Sequence, residues 1–348
     1  MKETDLQAGA LQAERTYFQT ESQSDWYFPF DQTMHRSNYN GQTQYVYKRL
    51  GNTYFYHQAS AGCWKTSGQG CIDIREADGL AVMTDGRSEK HFDLETGHMM
   101  SVHTYQDRRT VHFDYQPASV TMRDARSELV FGKDSDSQVT SVSNGDVSVS
   151  YHYGDNGLIS GVTRPDGGTT SYRYGGEEET RLTQSEANGQ VDHTWTYDEK
   201  GRVTNATRGE RATSSLTYGT DRITVTNSLG KETVFHFSTH DNAKKISSIE
   251  GTPSLNCKAT QSEYTYYETG LVETMKGNAG AVTQFEYNDR GLETTRVEAL
   301  GQPDERRTET TWIDSARLPK QITTGNKTVE FSYDSLGHII SKTVRSRD

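Results

Sequence analysis

The chain has 348 residues, of which only 31% are hydrophobic, and its mean hydropathy is −0.87. Such polarity is typical of disorder when aromatic residues are few, but 20 Tyr, 11 Phe, 4 Trp and 31 Gly favour strands and turns. The net charge of −11 disfavours a nucleic-acid binder, which needs a basic surface, and attraction to an anionic membrane. We therefore expect a folded β-rich protein with too little Leu, Ile and Val for a thick closed core.

Residues 1–25 are rich in Gln, Glu, Thr and Ser and show no clear apolar alternation. They predict a flexible leader or a short helix around Leu6 to Glu14, with order beginning at Trp26. The N-terminus lacks the hydrophobic core of a signal peptide. No apolar run approaches the length of a membrane span.

Residues 26–150 predict a series of β-hairpins. Tyr45, Tyr47 and then Tyr54, Tyr56 bracket the turn signal Gly51-Asn52. Asp78-Gly79 and Asp85-Gly86 are strong hairpin signals. They predict strands near residues 71–76, 80–84 and 87–93, followed by strands near 98–105 and 110–115.

Residues 151–348 contain a repeat whose clearest copy is Trp195-Thr196-Tyr197-Asp198, followed by Gly201-Arg202-Val203. Two aromatic residues at i and i+2 share one face of a strand, and Asp followed by Gly makes a tight turn. The second aromatic recurs every 19 to 29 residues, at Tyr153, Tyr174, Tyr197, Tyr218, Phe237, Tyr266, Tyr287, Trp312 and Tyr333. Turn glycines follow at Gly157, Gly201, Gly270, Gly291 and Gly337.

Each repeat supplies two strands, which are marginal alone and must pair with neighbouring repeats. The pattern predicts an all-β fold, a long antiparallel meander whose twist coils it into a spiral or barrel-like partial shell. The alternative is a β-propeller, in which two repeats form one blade. The uneven spacing favours the spiral.

Three cysteines do not form a disulfide framework. Cys63 and Cys71 flank a Gly-rich loop and can form a disulfide across a hairpin in an oxidising compartment. Cys257 would then have no cysteine left to pair with. The alternative is a pair of half-buried thiols.

Candidate chemical sites are weak in this sequence. His236 and His240, followed by Asp241, are too far apart along a strand for one zinc ion without a bend. Asp134 and Asp136 begin like a calcium loop, but the glycine and the distal glutamate of that loop are missing. Phosphate-loop, dinucleotide and nucleophile-elbow motifs do not occur. We expect no enzyme activity, no catalytic residues, no cofactor and no metal.

The repeat resembles the motif of the Rhs/YD-repeat family, which is close to Tyr-x-Tyr-Asp-x-x-Gly-Arg-Leu. The best copies begin at Trp195, Phe285 and Phe331, and the resemblance extends over roughly residues 26–345. It implies a sheet that spirals into a hollow shell, which in bacterial members holds a C-terminal toxin. Those members end their core with an Asp-Pro motif for toxin release, but none of the six prolines here follows Asp.

The resemblance therefore implies a non-enzymatic shell segment, the partial core of a secreted toxin or delivery protein. Its expected partners are a toxin domain, or a continuation of the core at the open C-terminal edge of the array at residues 151–348, and a component of a secretion system. The expected location is outside the bacterial cell or on its surface, after a cytoplasmic stage. A surface module that binds glycans through its tyrosines is the alternative function, because aromatic rings stack on sugars.

Overall fold

The computed structural model describes residues 1–19, 24–60, 62–67, 69–176, 179–209, 212–252, 261–314, 317–334 and 339–346. Within these residues the protein consists of antiparallel strands in three sheets. The first sheet contains β1 (Lys2–Ala8), β2 (Leu11–Gln19) and β3 (Ser24–Tyr27). The second contains β4 (Gln32–Tyr39), β5 (Gln42–Arg49), β6 (Asn52–Ser60) and β7 (Cys63–Lys65).

The third sheet is a continuous meander in which each strand pairs with the next one in sequence. Its first half contains β8 (Asp73–Ala77), β9 (Leu80–Thr84), β10 (Ser88–Asp93), β11 (Met99–Thr104), β12 (Arg109–Gln116), β13 (Ser119–Arg123), β14 (Glu128–Lys133), β15 (Val139–Ser143), β16 (Ser148–Tyr153), β17 (Ile159–Thr163), β18 (Thr169–Gly175) and β19 (Arg181–Ala187). Its second half contains β20 (Gln190–Tyr197), β21 (Val203–Arg208), β22 (Ala212–Tyr218), β23 (Arg222–Thr226), β24 (Glu232–His240), β25 (Ala243–Gly251), β26 (Gln261–Tyr266), β27 (Val272–Lys276), β28 (Val282–Tyr287), β29 (Glu293–Glu298), β30 (Arg306–Trp312), β31 (Pro319–Thr324), β32 (Lys327–Tyr333) and β33 (Ile339–Ser346).

The predicted hairpins are confirmed to within one or two residues. Asp78 and Gly79 have φ values of 51° and 77° and join β8 to β9. Both central residues of such a two-residue turn need a positive φ, which Gly adopts freely and Asp tolerates. Gly86, with φ of 85°, lies between β9 and β10.

The predicted fold class is confirmed, since the long sheet is an antiparallel meander coiled into a partial spiral shell. A propeller would divide it into separate four-stranded blades, so that alternative is wrong. The sheet returns from β33 towards β8, but the described residues define no register between these two strands. The sheet also runs through residue 150 without a break, because β16 pairs with both β15 and β17.

The prediction of a flexible or helical leader is wrong. Residues 2–19 form β1 and β2, and Leu11 and Arg15 are completely buried. Leu11, Ala13, Arg15 and Tyr17 alternate along β2 with their side chains on one buried face. The charge of Arg15 in the middle of this series hides the two-residue period of a strand.

No helix among the described residues has the length and apolar character needed to cross a membrane.

Candidate functional site: the interior face of the rolled sheet

One face of the long sheet is continuous across the ladders from β14 to β33. Phe131 pairs with Val142, Val142 with Val149, and Tyr151, two residues on, shares that face. Directly opposed residues of antiparallel strands share a face, so the register can be followed onward to Tyr172 and then to Trp195. We call this face the interior face.

In the first half of the sheet, the chain's own N-terminal strands cover the interior face. Arg15 on β2 donates to Asp5 on β1 at 2.6 and 3.1 Å, and both side chains are fully buried. Arg15 also donates to the hydroxyl of Tyr172, and the hydroxyl of Tyr151 donates to Asp5. A buried ion pair of this kind is anchored to two interior-face tyrosines and thereby fixes β1 and β2 on the sheet.

Aromatic residues complete this cover. The Trp26 indole N–H donates to the Tyr174 hydroxyl at 2.7 Å, and its ring lies 4.9 Å from that of Tyr172. Phe28 and Phe30 place their rings 5.8 and 5.0 Å from Phe131. The cover extends as far as Gln19, whose side chain donates to the Gly201 carbonyl after β20.

Trp195 on β20 still packs against the covered core, and beyond it the same face continues without this cover. Its apolar residues there are Leu216, Ile223, Val225, Phe235, Ile249, Tyr264, Met275, Phe285, Ile322, Val329, Phe331 and Val344, which the register links strand by strand. Phe131 is 0% exposed, whereas Met275 is 38% and Val344 51% exposed. A row of half-exposed apolar side chains on a concave face is typical of a binding surface.

Charge differs between the two faces of this half. Five glutamates lie on the exterior face, because their neighbours in sequence point inward: Glu250, Glu263, Glu286, Glu309 and Glu330. The basic residues His193, Arg208, Arg296, Arg306 and Lys342 lie on the interior face, where Glu293 and Glu298 pair with Arg296 and Arg306 but leave an excess of basic groups. An occupant with apolar and acidic side chains therefore fits the interior better than a basic one.

The repeat tyrosines connect successive repeats through their hydroxyl groups. Tyr174 donates to the carbonyl of Ile159 at 2.5 Å, and Ile159 opposes Tyr153 of the preceding repeat across a β-bulge. Tyr197 donates to Leu182, which opposes Tyr174 across the next bulge. Because a bulge disrupts the ladder locally and leaves a residue unpaired, the hydroxyl supplies the hydrogen bond that the carbonyl needs.

The same bond recurs along the sheet. The other pairs are Tyr153 with Val139, Tyr218 with Val203, Tyr266 with Ile246 and Tyr333 with Pro319, and the Trp312 indole N–H bonds Glu293. At Phe237, which has no hydroxyl, the backbone N–H donates to the Asp221 carbonyl. Tyr287 is also on the interior face, opposite Glu293.

Substitution of Tyr197 by Phe tests this bond. The change leaves the Leu182 carbonyl without its donor, so the free energy of unfolding should fall by about 1–3 kcal/mol. Burial raises the pKa of Tyr197, so the phenol remains a donor at ordinary pH. Chemical denaturation measures the loss.

The matched control is Tyr39→Phe, because Tyr39 is 60% exposed. That variant should differ from the parent by no more than about 0.5 kcal/mol. Equal losses in the two variants would contradict a structural role for the repeat hydroxyl.

The acidic residue after the repeat tyrosine builds the turn. Asp198 Oδ1 accepts from the backbone N–H groups of Lys200 and Arg202, and Gly201, with φ of 76°, donates to the Asp198 carbonyl. The Arg202 guanidinium bonds the Asp198 carboxylate, lies 4.2 Å from the Tyr218 ring and lowers the pKa of Asp198. Gly157, Gly270 and Gly291 also have positive φ, and Gly337 lies outside the described residues.

Cys63 and Cys71 are joined by a disulfide, with their Cα atoms 5.0 Å apart. The bond lies where β7 meets β8, beside the bridge between Trp64 and Ile72. Cys257 lies outside the described residues.

The residues that the sequence offered as weak candidates for a zinc or calcium site have other partners in the structure. His236 approaches Glu250 on β25, while His240 contacts Ser238 and the Tyr266 ring. Asp134 Oδ1 accepts from the backbone N–H groups of Asp136 and Gln138. In the part of the chain that the structure describes, no group of three or more His, Cys, Asp or Glu residues can hold a metal.

No family model matches the sequence, and no curated protein matches it. The crystal structure of TcdB2-TccC3-TEV is similar to 96% of the chain, at 10% identity and a TM-score of 0.40. TcdB2-TccC3 without its hypervariable C-terminal region is similar to 96%, at 11% identity and a TM-score of 0.31. The chain covers 21% and 22% of these two structures, about a fifth of their length. Similarity at this level does not assign a function.

Sequence reasoning located the repeat aromatics but missed two features of the site. It placed the paired aromatics on one face of a strand and assigned no role to the tyrosine hydroxyls, which bond bulge carbonyls. The available signal was that eight of the nine repeat positions carry Tyr or Trp, which have a donor that Phe lacks. It also missed the N-terminal cover, for which the alternation around Arg15 was the only signal.

Proposed function

We propose that the chain is a non-enzymatic shell segment whose uncovered interior face, from β21 to β33, encloses a polypeptide supplied by a downstream segment or a partner. The observation that carries this proposal is the contrast between the two halves of one continuous face. In the first half β1–β3 cover it; in the second half its aromatic residues are only partly buried, and Met275 and Val344 are exposed. The resemblance to Rhs/YD repeats supports the further proposal that the polypeptide is a toxin and that the shell is exported.

The chemistry of the face supports a polypeptide occupant. The cover in the first half is itself a polypeptide, held by apolar packing and a few polar bonds from tyrosines. The second half offers the same kinds of group, tyrosine and phenylalanine beside basic side chains. An acidic segment with apolar anchors would satisfy them.

The last strand supports a second contact with the same partner. Every residue of β33 is exposed, including Ile339 at 44%, Ile340 at 68% and Val344 at 51%. Exposed apolar edge strands template the pairing of further strands. We propose that β33 pairs with a strand of a continuation or partner.

The proposal is tested by producing the chain together with the polypeptide encoded immediately downstream of it. We expect that polypeptide to co-purify with the chain and to resist a protease that digests it when it is alone. Digestion at the same rate with and without the chain would overturn the proposal.

Two adjacent substitutions on β24 make the test specific to the interior. Phe235 lies on the interior face, and Val234, its neighbour, lies on the exterior face opposite Glu250. Phe235→Glu should abolish protection because it places a charge in the proposed contact, whereas Val234→Glu should preserve it. Equal protection in both variants would place the contact elsewhere.

A further inference from the structure

The first strands of the long sheet meet its late repeats along a contact that we call the seam. One side consists of Gly70, Cys71 and Asp73, and the other consists of Leu271, the turn at residues 288–291, and Arg317. Cys71 Sγ lies 3.7 Å from the Asp289 carbonyl, and a Cβ added to Gly291 would lie 3.5 Å from the Cys71 nitrogen. On the same side as Cys71, a Cβ added to Gly70 would lie 3.1 Å from Leu271.

Charged groups also meet at the seam. Arg317 donates to the Arg290 carbonyl at 3.3 Å, and the two guanidiniums belong to late repeats. Asp73, from the first strand of the sheet, supplies negative charge; burial raises its pKa, while Arg75, Arg290 and Arg317 act in the opposite direction. The Nε atoms of Arg290 and Arg317 are buried and have no hydrogen-bond partner among the described residues. The seam is therefore polar and incompletely satisfied, which limits its intrinsic strength.

The seam is also loosely packed. A cavity of about 580 Å³ lies between its two sides, with Cys63, Cys71, Tyr267, Leu271 and Asn288 among its lining residues. Contacts across such a space contribute little dispersion energy. The position of Cys71 against the late repeats must depend on what holds the loop.

The disulfide holds the loop. Cys63 belongs to β7, which pairs with β6 in the second sheet, and the bond ties Cys71 to that strand. Besides the bridge between Trp64 and Ile72, Tyr56 donates to Gln69 within the loop. Cleavage of the disulfide leaves these few bonds to position Cys71.

We propose that the Cys63–Cys71 disulfide is a redox-controlled latch, which holds the seam closed when it is oxidised and lets the late repeats separate from the first strands when it is reduced. Reduction breaks the S–S bond and converts both sulfurs to thiols with two electrons and two protons from a dithiol, which becomes a cyclic disulfide. The cavity beside Cys63 and Cys71 is the route by which a small thiol reaches the bond. The latch would be open in a reducing cytoplasm and closed in an oxidising exterior.

Hydrogen exchange of the full chain, with and without dithiothreitol, tests this proposal. The Cys257→Ser variant is used so that the latch is the only source of thiols. The amides of Gly291 and Leu292, which bond to Asn288 in the seam turn, should exchange several-fold faster after reduction. Exchange in β14, under the N-terminal cover, should not change.

Unchanged exchange at residues 288–292 after reduction would overturn the proposal. Equal acceleration in β14 would also overturn it, because the bond would then stabilise the whole fold and not the seam. In the Cys257→Ser background, the double substitution Cys63→Ala/Cys71→Ala should show without dithiothreitol the same hydrogen exchange as the reduced chain. Addition of dithiothreitol should not change the exchange of this variant. If that variant does not fold, the reduced Cys257→Ser chain decides the outcome by itself.

Discussion

Replacement of Arg15 by Met should lower the free energy of unfolding by about 3–5 kcal/mol, because it leaves the buried Asp5 carboxylate without its partner. Arg15 and Asp5 are both fully buried, and their bidentate bond is the polar centre of the N-terminal cover. The loss should appear in chemical denaturation. It should also increase exchange of the amides in β16 and β18, which β1 and β2 contact through Tyr151 and Tyr172.

Two further variants separate charge burial from loss of packing. Asp5→Leu/Arg15→Met removes both charges, so it should cost less than Arg15→Met alone, although Tyr151 and Tyr172 lose their partners. Arg173→Met breaks the ion pair with Glu186 on the surface, where Arg173 is 68% exposed, and should cost less than about 1 kcal/mol. If Arg15→Met cost no more than Arg173→Met, the N-terminal strands would not be a stable cover.

Phe131→Ala and Phe285→Ala should differ sharply although both residues lie on the interior face. Phe131 is completely buried against Phe28 and Phe30, so its removal leaves a cavity and should cost about 3–5 kcal/mol. Phe285 is only partly buried, beside Arg296. Its removal from the isolated chain should cost about 1–2 kcal/mol, since part of its surface already contacts water.

Comparing the losses in free energy of unfolding caused by Phe131→Ala and Phe285→Ala tests whether the interior face is covered in the first half of the sheet and uncovered in the second. Equal costs would mean that the second half of the interior face is already covered in the isolated chain. The shell proposal would then lose its main support. With an occupant bound, the cost at Phe285 should rise towards that at Phe131, because the occupant would bury the ring.

The cover and the latch suggest how such a shell can be both stable and accessible. The first half of the roll is filled by β1–β3 and by side chains of the sheet β4–β7, and it provides the hydrophobic core. The second half is stabilised by strand pairing, by the tyrosine hydroxyls that bond the carbonyls at the β-bulges, and by tight turns. None of these interactions requires a filled interior. A low apolar content is therefore compatible with a folded chain of this length.

Much of the fold follows from the sequence, because its signals are local. The two-residue spacing of Trp195 and Tyr197 predicts a strand, and Asp198 with Gly201 predicts the turn that the structure shows. Repetition of this unit predicts one long antiparallel sheet, since two strands are marginal alone. Twist then predicts that the sheet coils.

The sequence by itself determined the strands, the turns and the meander, because each depends on residues a few positions apart. Only the tertiary structure decided what covers the interior face, because the cover depends on contacts such as Arg15 with Tyr172, which are 157 residues apart. A buried arginine looks like a surface residue until its partners are known, since only a paired charge can be buried at acceptable cost. The seam is likewise decided by the curvature of the whole sheet, which brings Cys71 to Asp289 across 218 residues.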